Sequence, residues 1–165
     1  MLETIRNRRS IRRFTEEPVP DDVVDRILEM GTWAPSGLNN QPWRFVVVRK
    51  AETKKVLAGL TKYGSILRSA PVCVAVFLET RESYDRVKDV QAIGACIQNM
   101  LLAIHALGLG GVWLGEILKN RKEVERILCV PESCELMAVV ALGRPVAEGG
   151  RGVRKPLSEV VLDRK

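Results

Sequence analysis

Histidine is almost absent from this chain, which has a single one, His105, among 165 residues. Zinc sites are built mainly from histidine and cysteine side chains, and the four cysteines include no C-x-x-C pair. We therefore expect no metal site. Four cysteines are also too few for a disulfide scaffold in a chain of this length. The sequence predicts reduced, mostly buried thiols, as in a cytoplasmic protein.

Aromatic residues are few as well, at 5% of the chain, and internal repeats, linkers and low-complexity segments are missing. Hydrophobic residues make up 46% of the chain and charged residues 28%, which excludes a disordered protein. Domains mostly contain roughly 100–200 residues. We therefore expect one globular domain that spans residues 1–165.

The first residues lack the basic-then-apolar order of a signal peptide. One uncharged stretch, which includes residues 92–115, is long enough to cross a bilayer. Polar residues lie inside it and glycines interrupt its second half: Gln98, Asn99, His105, Gly108, Gly110, Gly111 and Gly115. We therefore expect a buried helix, a turn and a strand there, and no membrane span.

Positive charge is concentrated at the two ends of the chain, whose total net charge is +6. Residues 1–13 contain five arginines and one glutamate, a net +4, and residues 151–165 contain five basic and two acidic residues, a net +3. The stretch between them holds the remaining 16 basic and 17 acidic residues, a net −1. The basic excess therefore belongs to the termini.

Three interpretations of these basic ends are open from composition. They could be solvated termini, a nucleic-acid-binding surface, or two halves of a site for one small phosphate, which arginine binds through paired hydrogen bonds. No base-stacking aromatic segment or zinc-finger spacing accompanies the charge, so we expect no nucleic-acid partner.

The pattern of apolar residues predicts alternating helices and strands. Strands are predicted at residues 45–48, 71–78, 111–114 and 136–142, and the all-apolar first strand is expected to be buried on both faces. Asp21 or Asp22 is the expected N-cap of the second helix. The remaining predicted elements are a short helix and turn at residues 5–14, a loop at 34–42, helices at 52–60, 85–107 and 116–128, and a tail from 149.

The helix predicted at residues 85–107 is apolar on nearly all sides. Such a helix is buried in a large core or in an interface, and a chain of 165 residues has little core to surround it. We therefore expect a homodimer with this helix near the two-fold axis.

Side chains arranged for catalysis by the protein alone are not evident. There is no Gly-x-Ser-x-Gly elbow and no phosphate-binding Walker loop, and the glycines at 108–111 end a helix where a dinucleotide fingerprint would begin one. His105 lies within an apolar run, where we expect a packed core histidine. If the protein is an enzyme, a cofactor carries the chemistry.

Several motifs occur in a characteristic order along the chain. They are RRSIRRF at 8–14, APSGLNNQPWRF at 34–45, QNMLLA at 98–103, GLGGVWLG at 108–115, GRP at 143–145 and RKPLSEVV at 154–161. Together, over residues 5–162, they resemble the nitroreductase-like flavoproteins, which bind FMN. The resemblance implies an α+β fold, with a central, mainly antiparallel sheet flanked by helices, in an interleaved homodimer that carries FMN at its interface.

The resemblance also implies which residues hold the cofactor. Phosphate and ribityl contacts would come from both basic ends, and flavin contacts from the loop at 34–42 of the second subunit and from the strand near 113. The implied cofactor-binding residues are Arg8, Arg9, Ser10, Arg12, Pro35, Ser36, Asn39, Trp113, Leu114, Gly115, Arg154 and Lys155. Gln98 and Asn99 would satisfy polar groups at the dimer interface.

The implied activity is transfer of electrons from NADH or NADPH through FMN to small organic acceptors such as nitroaromatics or quinones. The alternative is an FMN-binding module for storage or delivery with little turnover. The segments after Leu60 and Leu78, where larger relatives insert a lid, are brief here, so we expect an open site of weak specificity. Gly37 stands where many relatives have a second serine, which removes one possible flavin contact.

Overall fold

A four-stranded sheet lies at the centre of the computed structural model, which describes residues 1–165. The strands are β1 (Trp43–Val48), β2 (Val72–Glu79), β3 (Gly110–Leu114) and β4 (Cys134–Gly143). Their spatial order is β1-β2-β4-β3, and each neighbouring pair is antiparallel. The antiparallel sheet implied by the resemblance is confirmed.

Helices cover both faces of this sheet. They are α1 (Leu2–Asn7), α2 (Asp21–Thr32), α3 (Ala51–Ala58), α4 (Gly64–Ser69), α5 (Arg86–Ala106), α6 (Arg121–Ile127) and α7 (Leu157–Val160). One hydrophobic cluster packs α2 and α5 against one face of the sheet, and a second packs α3, α4 and α6 against the other. The valine-rich β2 is buried at every position because it lies between two strands and between both clusters.

The first strand differs from its prediction. β1 pairs with a neighbour on one side only, and Val47 is 39% exposed. Its unbroken run of apolar residues indicated a strand buried on both faces, but an edge position leaves part of it open. Sequence composition does not reveal a strand's place in the sheet order.

The long helix α5 is built from strong local signals. The carboxylate of Asp85 caps its first turn by accepting a hydrogen bond from the backbone N–H of Lys88 at 3.1 Å. Gly108, with φ +73°, ends it in a left-handed turn that suits glycine. The core-facing positions of its middle are buried, from Ile93 to Ile104, whereas Gln98 between them is exposed and Val87 near its start is 69% exposed. The helix therefore presents an apolar residue to the outside of this protomer.

Three local predictions were wrong. α1 ends at Asn7, and residues 8–14 run extended beside the sheet. Pro20 is the N-cap of α2, and no side chain caps that helix. α4 was not predicted because its six residues show neither a cap nor two turns of periodicity.

Cys73, Cys96 and Cys134 are buried and Cys129 is exposed, and all four are free thiols. Burial raises the pKa of Cys73 and of Cys96 to about 12, so both thiols stay protonated at neutral pH. No helix combines the length and apolarity that a membrane crossing requires.

Candidate functional site

The two ends of the chain meet at the β3 edge of the sheet. Ser10 forms a parallel bridge with Gly111, and the backbone N–H of Ile11 donates to the Gly111 carbonyl at 3.0 Å. Phe14 bridges Pro145 in the antiparallel sense. These backbone bonds hold residues 8–14 straight, and they explain why this segment is not helical despite following α1.

This pairing gathers arginines from both termini. The guanidinium of Arg9 donates to the carbonyl of Gly150 at 3.0 Å, which ties the two ends together. Gly149 and Gly152 lie against the Arg9 side chain, where a Cβ atom would come within 2.2 and 2.6 Å of it. Glycine is therefore required at residue 149, where the contact is with the Arg9 Cβ, whereas a side chain at residue 152 would only displace the guanidinium end of Arg9.

Arg8 is the most unusual member of this group. Its Nη1 is buried and has no hydrogen-bond partner. Burial lowers the pKa of Arg8, and the neighbouring charges of Arg154 and Arg9 lower it further. Three cations thus converge and none of them forms an ion pair, although Glu148 and Glu3 line the adjoining cavities. This arrangement favours a bound anion.

Two cavities open at these arginines. Arg8 and Arg9 line one of about 470 Å³, together with Leu101 and His105 of α5. Arg9 and Arg154 line a second of about 610 Å³ beside α1. His105 was predicted to be packed in the core. It lies instead half-buried at the wall of the first cavity.

The other predicted phosphate contacts are distributed around the same region. Ser10 and Arg12 line a smaller cavity of about 230 Å³ with residues 146–150, and an Arg12 N–H donates to the Ser10 carbonyl at 3.3 Å. Lys155 is exposed in the C-terminal tail. The structure therefore groups Arg8, Arg9, Ser10, Arg12 and Arg154, and leaves Lys155 outside this group.

The loop at residues 36–41 has an uncommon backbone; it is named the flavin loop hereafter, after the contact that the resemblance implies. Leu38, Asn39 and Gln41 have φ values of 53°, 55° and 47°, a left-handed region that non-glycine residues rarely adopt. The Ser36 hydroxyl accepts a hydrogen bond from the Gln41 N–H at 3.1 Å and closes the loop. The conformation turns Leu38 outward, where it is 85% exposed.

The backbone at Gly37 lies directly against the side chain of an aromatic residue, Tyr84. A Cβ atom at Gly37 would lie 1.8 Å from the Tyr84 hydroxyl oxygen, so a larger residue there would require the Tyr84 ring to move. Pro35, Ser36 and Tyr84 line a cavity of about 300 Å³ with Lys88 and Gln91 of α5. The Tyr84 ring thus occupies the space that a side chain at residue 37 would take.

The third predicted contact region lies at the end of β3. Leu114 is buried, Trp113 is 42% exposed, and Gly115 starts the turn that follows. The Trp113 ring lies beside Gly94 of α5, within 3.9 Å of the position that a Cβ atom there would take. An exposed indole and glycine backbone leave this edge open to a flat ligand.

Glu116 fixes the turn after Gly115. Its carboxylate pairs with Lys119 and accepts hydrogen bonds from the Thr61 hydroxyl at 2.6 Å and the Lys62 N–H at 3.0 Å. These contacts, with the Lys119 hydrogen bond the largest, lower the pKa of Glu116 to about 2. The segment that carries residues 113–115 is thereby attached to the turn between α3 and α4.

Acid should release this attachment. Because the folded-state pKa of Glu116 is about 2 and its ordinary value is 4.5, its stabilising effect is complete above pH 4.5 and is lost as pH falls toward 2. We expect Glu116→Gln to lower the melting temperature at pH 7 and to change it little at pH 2. The exposed carboxylate variant Glu29→Gln is the control. Equal effects of Glu116→Gln at both pH values would contradict this assignment.

The arginine group and the flavin loop lie at different positions along α5. Ala92 lines the cavity beside Ser36, and His105 lines the cavity beside Arg8. At 1.5 Å per residue these two positions are about 20 Å apart along the helix. Within one protomer the structure therefore does not bring Pro35, Ser36 and Asn39 to the arginines.

Sequence reasoning missed three residues that shape these surfaces: Tyr84, Asp89 and His105. Tyr84 had one available signal, since a glycine replacing serine in the flavin loop indicates a larger neighbour. Asp89 and His105 had none, because Asn40 beside Asp89 and Arg8 beside His105 are more than 40 residues away in the chain.

Comparison with known proteins finds relatives that match most of the chain. The sequence model of the nitroreductase family matches residues 5–62 and 55–144. A protein from Methanothermobacter thermautotrophicus, whose name pairs NADH dehydrogenase with NAD(P)H nitroreductase, is 36% identical over 154 residues, covering 91% of this chain and 80% of that protein.

Solved structures agree with the sequence match. A crystal structure described as a nitroreductase in complex with FMN, from Desulfovibrio desulfuricans, has a TM-score of 0.94 at 48% identity, covering 99% of this chain and 96% of that chain. The NADPH:FMN oxidoreductase of Vibrio harveyi in complex with NAD+ has a TM-score of 0.90 at 26% identity, covering 99% of this chain and 76% of that chain.

Proposed function

Because the chain belongs to the nitroreductase family, we propose that it is an FMN-dependent oxidoreductase. It takes electrons from NADH or NADPH and passes them to small organic acceptors such as nitroaromatics or quinones. The observation that carries the proposal is the unpartnered guanidinium Nη1 of Arg8, buried next to Arg9 and Arg154. The relatives named for flavin and NAD(P)H chemistry support the same reading.

The arginine group fits the phosphate of FMN. A phosphate monoester carries nearly two negative charges at neutral pH and accepts several hydrogen bonds. Arg8 offers an unused donor, and Arg154 lines a cavity shared with Arg9. A bound phosphate would offset the burial, and the repulsion from Arg154 and Arg9, that together lower the pKa of Arg8. Ser10 and Arg12 are placed to extend these contacts toward the ribityl chain.

The remaining cofactor residues suit the flavin ring. FMN, when bound, supplies the redox chemistry by accepting a hydride and giving up electrons to the acceptor. The chain's own residues bind and orient: Ser36 and Asn39 offer polar groups, and Trp113, Leu114 and Gly115 form an open edge. No side chain is needed to move a proton, which agrees with the lack of an evident catalytic group.

A homodimer would complete this site. The flavin loop and the arginines are too far apart in one protomer to share one face of the cofactor, so the loop of a second copy would supply Pro35, Ser36 and Asn39. Large apolar side chains that a second copy would cover are exposed on this protomer: Trp33, Leu38, Val87, Trp113, Val153, Leu157 and Leu162.

The electron donor indicates the compartment of the proposed reaction. NAD(P)H is a cytosolic electron donor, so the proposed reaction belongs to the cytoplasm, where four free thiols are typical.

An FMN-storage or delivery module would use the same arginines. It differs from an oxidoreductase only in its response to NAD(P)H and an acceptor.

One preparation tests the proposal. We expect purified protein to show a two-banded flavin spectrum, to release FMN on denaturation and to sediment as a dimer at micromolar concentration. Under anaerobic conditions NADH or NADPH should bleach the visible bands rapidly, and a nitroaromatic or quinone should restore them. FMN-free protein incubated without added FMN is the control for bleaching.

Each alternative outcome has a distinct meaning. Bound FMN that neither NADH nor NADPH reduces would reject the oxidoreductase and favour the storage module. A colourless protein that does not take up added FMN would reject both. A monomer that binds FMN with full affinity would reject the shared site.

A further inference from the structure

Asp89 is a carboxylate with no solvent exposure on the first turns of α5. It forms no ion pair. Instead, it accepts hydrogen bonds from the Ser83 hydroxyl at 2.5 Å and from the Asn40 side-chain amide at 2.8 Å. Burial alone would raise the pKa of Asp89, but these hydrogen bonds and the backbone N–H groups of Asp85 and Tyr84 lower it overall. The side chain is therefore a buried anion held by neutral donors.

One of those donors belongs to the flavin loop. Asn40 lies between Asn39 and Gln41, both of which have left-handed backbones. Such conformations persist in non-glycine residues only where the surroundings hold them. The Asn40 amide also donates to the carbonyl of Glu82 at 3.1 Å. Its side chain is thus an anchor between the loop and residues more than 40 positions later in the chain.

The other donor precedes Tyr84. Ser83 is bonded to the same carboxylate, and the next residue places its hydroxyl group over Gly37. Tyr84 and Ser36 both line the cavity of about 300 Å³. One buried carboxylate therefore ties both of the segments that carry these residues to α5.

We propose that Asp89 is a positioning residue that holds the flavin loop, through Asn40, in the conformation that presents Ser36 and Asn39 to the cofactor. Its effect on FMN rests on the proposed function, whereas its hold on the loop does not. Ser83 gives the same carboxylate a second attachment, so that Tyr84 and the loop keep a fixed spacing.

A reciprocal exchange of the two side chains tests this role. Asn40→Asp places a second carboxylate against Asp89, and Asp89→Asn removes the acceptor charge. The double variant Asp89→Asn/Asn40→Asp restores one amide donor and one carboxylate acceptor, with their places exchanged. We expect Asn40→Asp to weaken FMN binding by roughly tenfold to a hundredfold. The double variant should regain the part of that loss that comes from the pairing with residue 89, but not the part from the bond to the Glu82 carbonyl, which a carboxylate at residue 40 cannot donate.

Loop conformation is measured directly in the FMN-free chain by amide hydrogen exchange. The amides of Asn39, Asn40 and Gln41 are hydrogen-bonded inside the loop, to the carbonyl oxygens of Ser36 and Gly37 and to the Ser36 hydroxyl. We expect exchange of these amides to be at least about tenfold faster in Asn40→Asp and to return toward the wild-type rate in the double variant. Exchange in β3 should not change.

Asp85→Ala is the matched control, because Asp85 caps the same helix but does not bond to the loop. It should lower the melting temperature and leave loop exchange and FMN affinity unchanged. Asn40→Ala, a milder variant, replaces Asn40→Asp if the latter does not fold.

The outcomes separate the proposals. Wild-type exchange rates in the loop of Asn40→Asp or Asn40→Ala would overturn the positioning role, as would a double variant no better than the sum of the single ones. If the wild-type protein fails to bind FMN, the proposed function fails, and the exchange rates still decide whether Asp89 holds the loop.

Discussion

Arg8→Ala is expected to weaken FMN binding by about 1.5–3 kcal/mol, or roughly 10- to 150-fold in Kd, because a charge-assisted hydrogen bond to a buried phosphate is lost. Arg8 has a buried Nη1 with no partner in the protein, so its hydrogen-bonding capacity is free for the cofactor. Titration of FMN-free protein with FMN, followed by flavin fluorescence, measures the change. Arg154→Ala should have an effect of the same kind.

The same substitution should not destabilise the FMN-free protein. Burial and the charges of Arg154 and Arg9 lower the pKa of Arg8, which means that the folded chain disfavours its positive charge. We expect the melting temperature of FMN-free Arg8→Ala to be unchanged or higher, while the increase caused by added FMN is reduced. Arg26→Ala, on the exposed face of α2, is the control. Wild-type FMN affinity in both Arg8→Ala and Arg154→Ala would disprove the phosphate assignment.

Met100→Ala is expected to lower the free energy of unfolding by about 2–5 kcal/mol, because it leaves a cavity in the fully buried interface of α2 and α5. Urea denaturation monitored by tryptophan fluorescence measures the loss. The matched control is Met30→Ala, since Met30 is on α2 but 40% exposed. That change should cost less than about 0.5 kcal/mol.

Gly31 provides an internal check of this packing. A Cβ atom at Gly31 would lie 2.8 Å from the Met100 Cγ and 3.2 Å from the Cys96 Sγ, so Gly31→Ala alone should be destabilising. In Met100→Ala the nearer of these atoms is gone. The double variant Gly31→Ala/Met100→Ala should therefore lose less stability than the two single changes added together. Strict additivity would show that the two residues do not share a packing site.

Much of the fold could be predicted from local pattern. The order of strands and helices, the cap at Asp85 and the helix end at Gly108 depend on neighbouring residues in the chain. The family resemblance then implied the antiparallel sheet, and the comparisons and the strand pairing confirm the family and the sheet. The edge position of β1 could not be read from its apolar sequence, because strand order is a property of the whole sheet.

The candidate site was likewise predictable only in part from the sequence. The concentration of arginine at both ends is visible in the sequence, and so is the Ser36–Asn39 motif. Their role as cofactor contacts stays a prediction, which the variants above test. The grouping of Arg8, Arg9 and Arg154 required the backbone pairing of Ser10 with Gly111 and the bond from Arg9 to Gly150.

The sequence by itself determined most of the elements, the charge at the termini and the family, because these follow from residue types and their spacing. Only the tertiary structure decided which polar groups are satisfied. Arg8 is left with a buried donor, and Asp89 is fully hydrogen-bonded to residues of two other segments. Both results depend on residues that are far apart in the chain and meet only in the folded protein. Because Arg8 Nη1 and the Asp89 carboxylate are buried away from water, the presence or absence of a hydrogen-bond partner has a large effect on their energy.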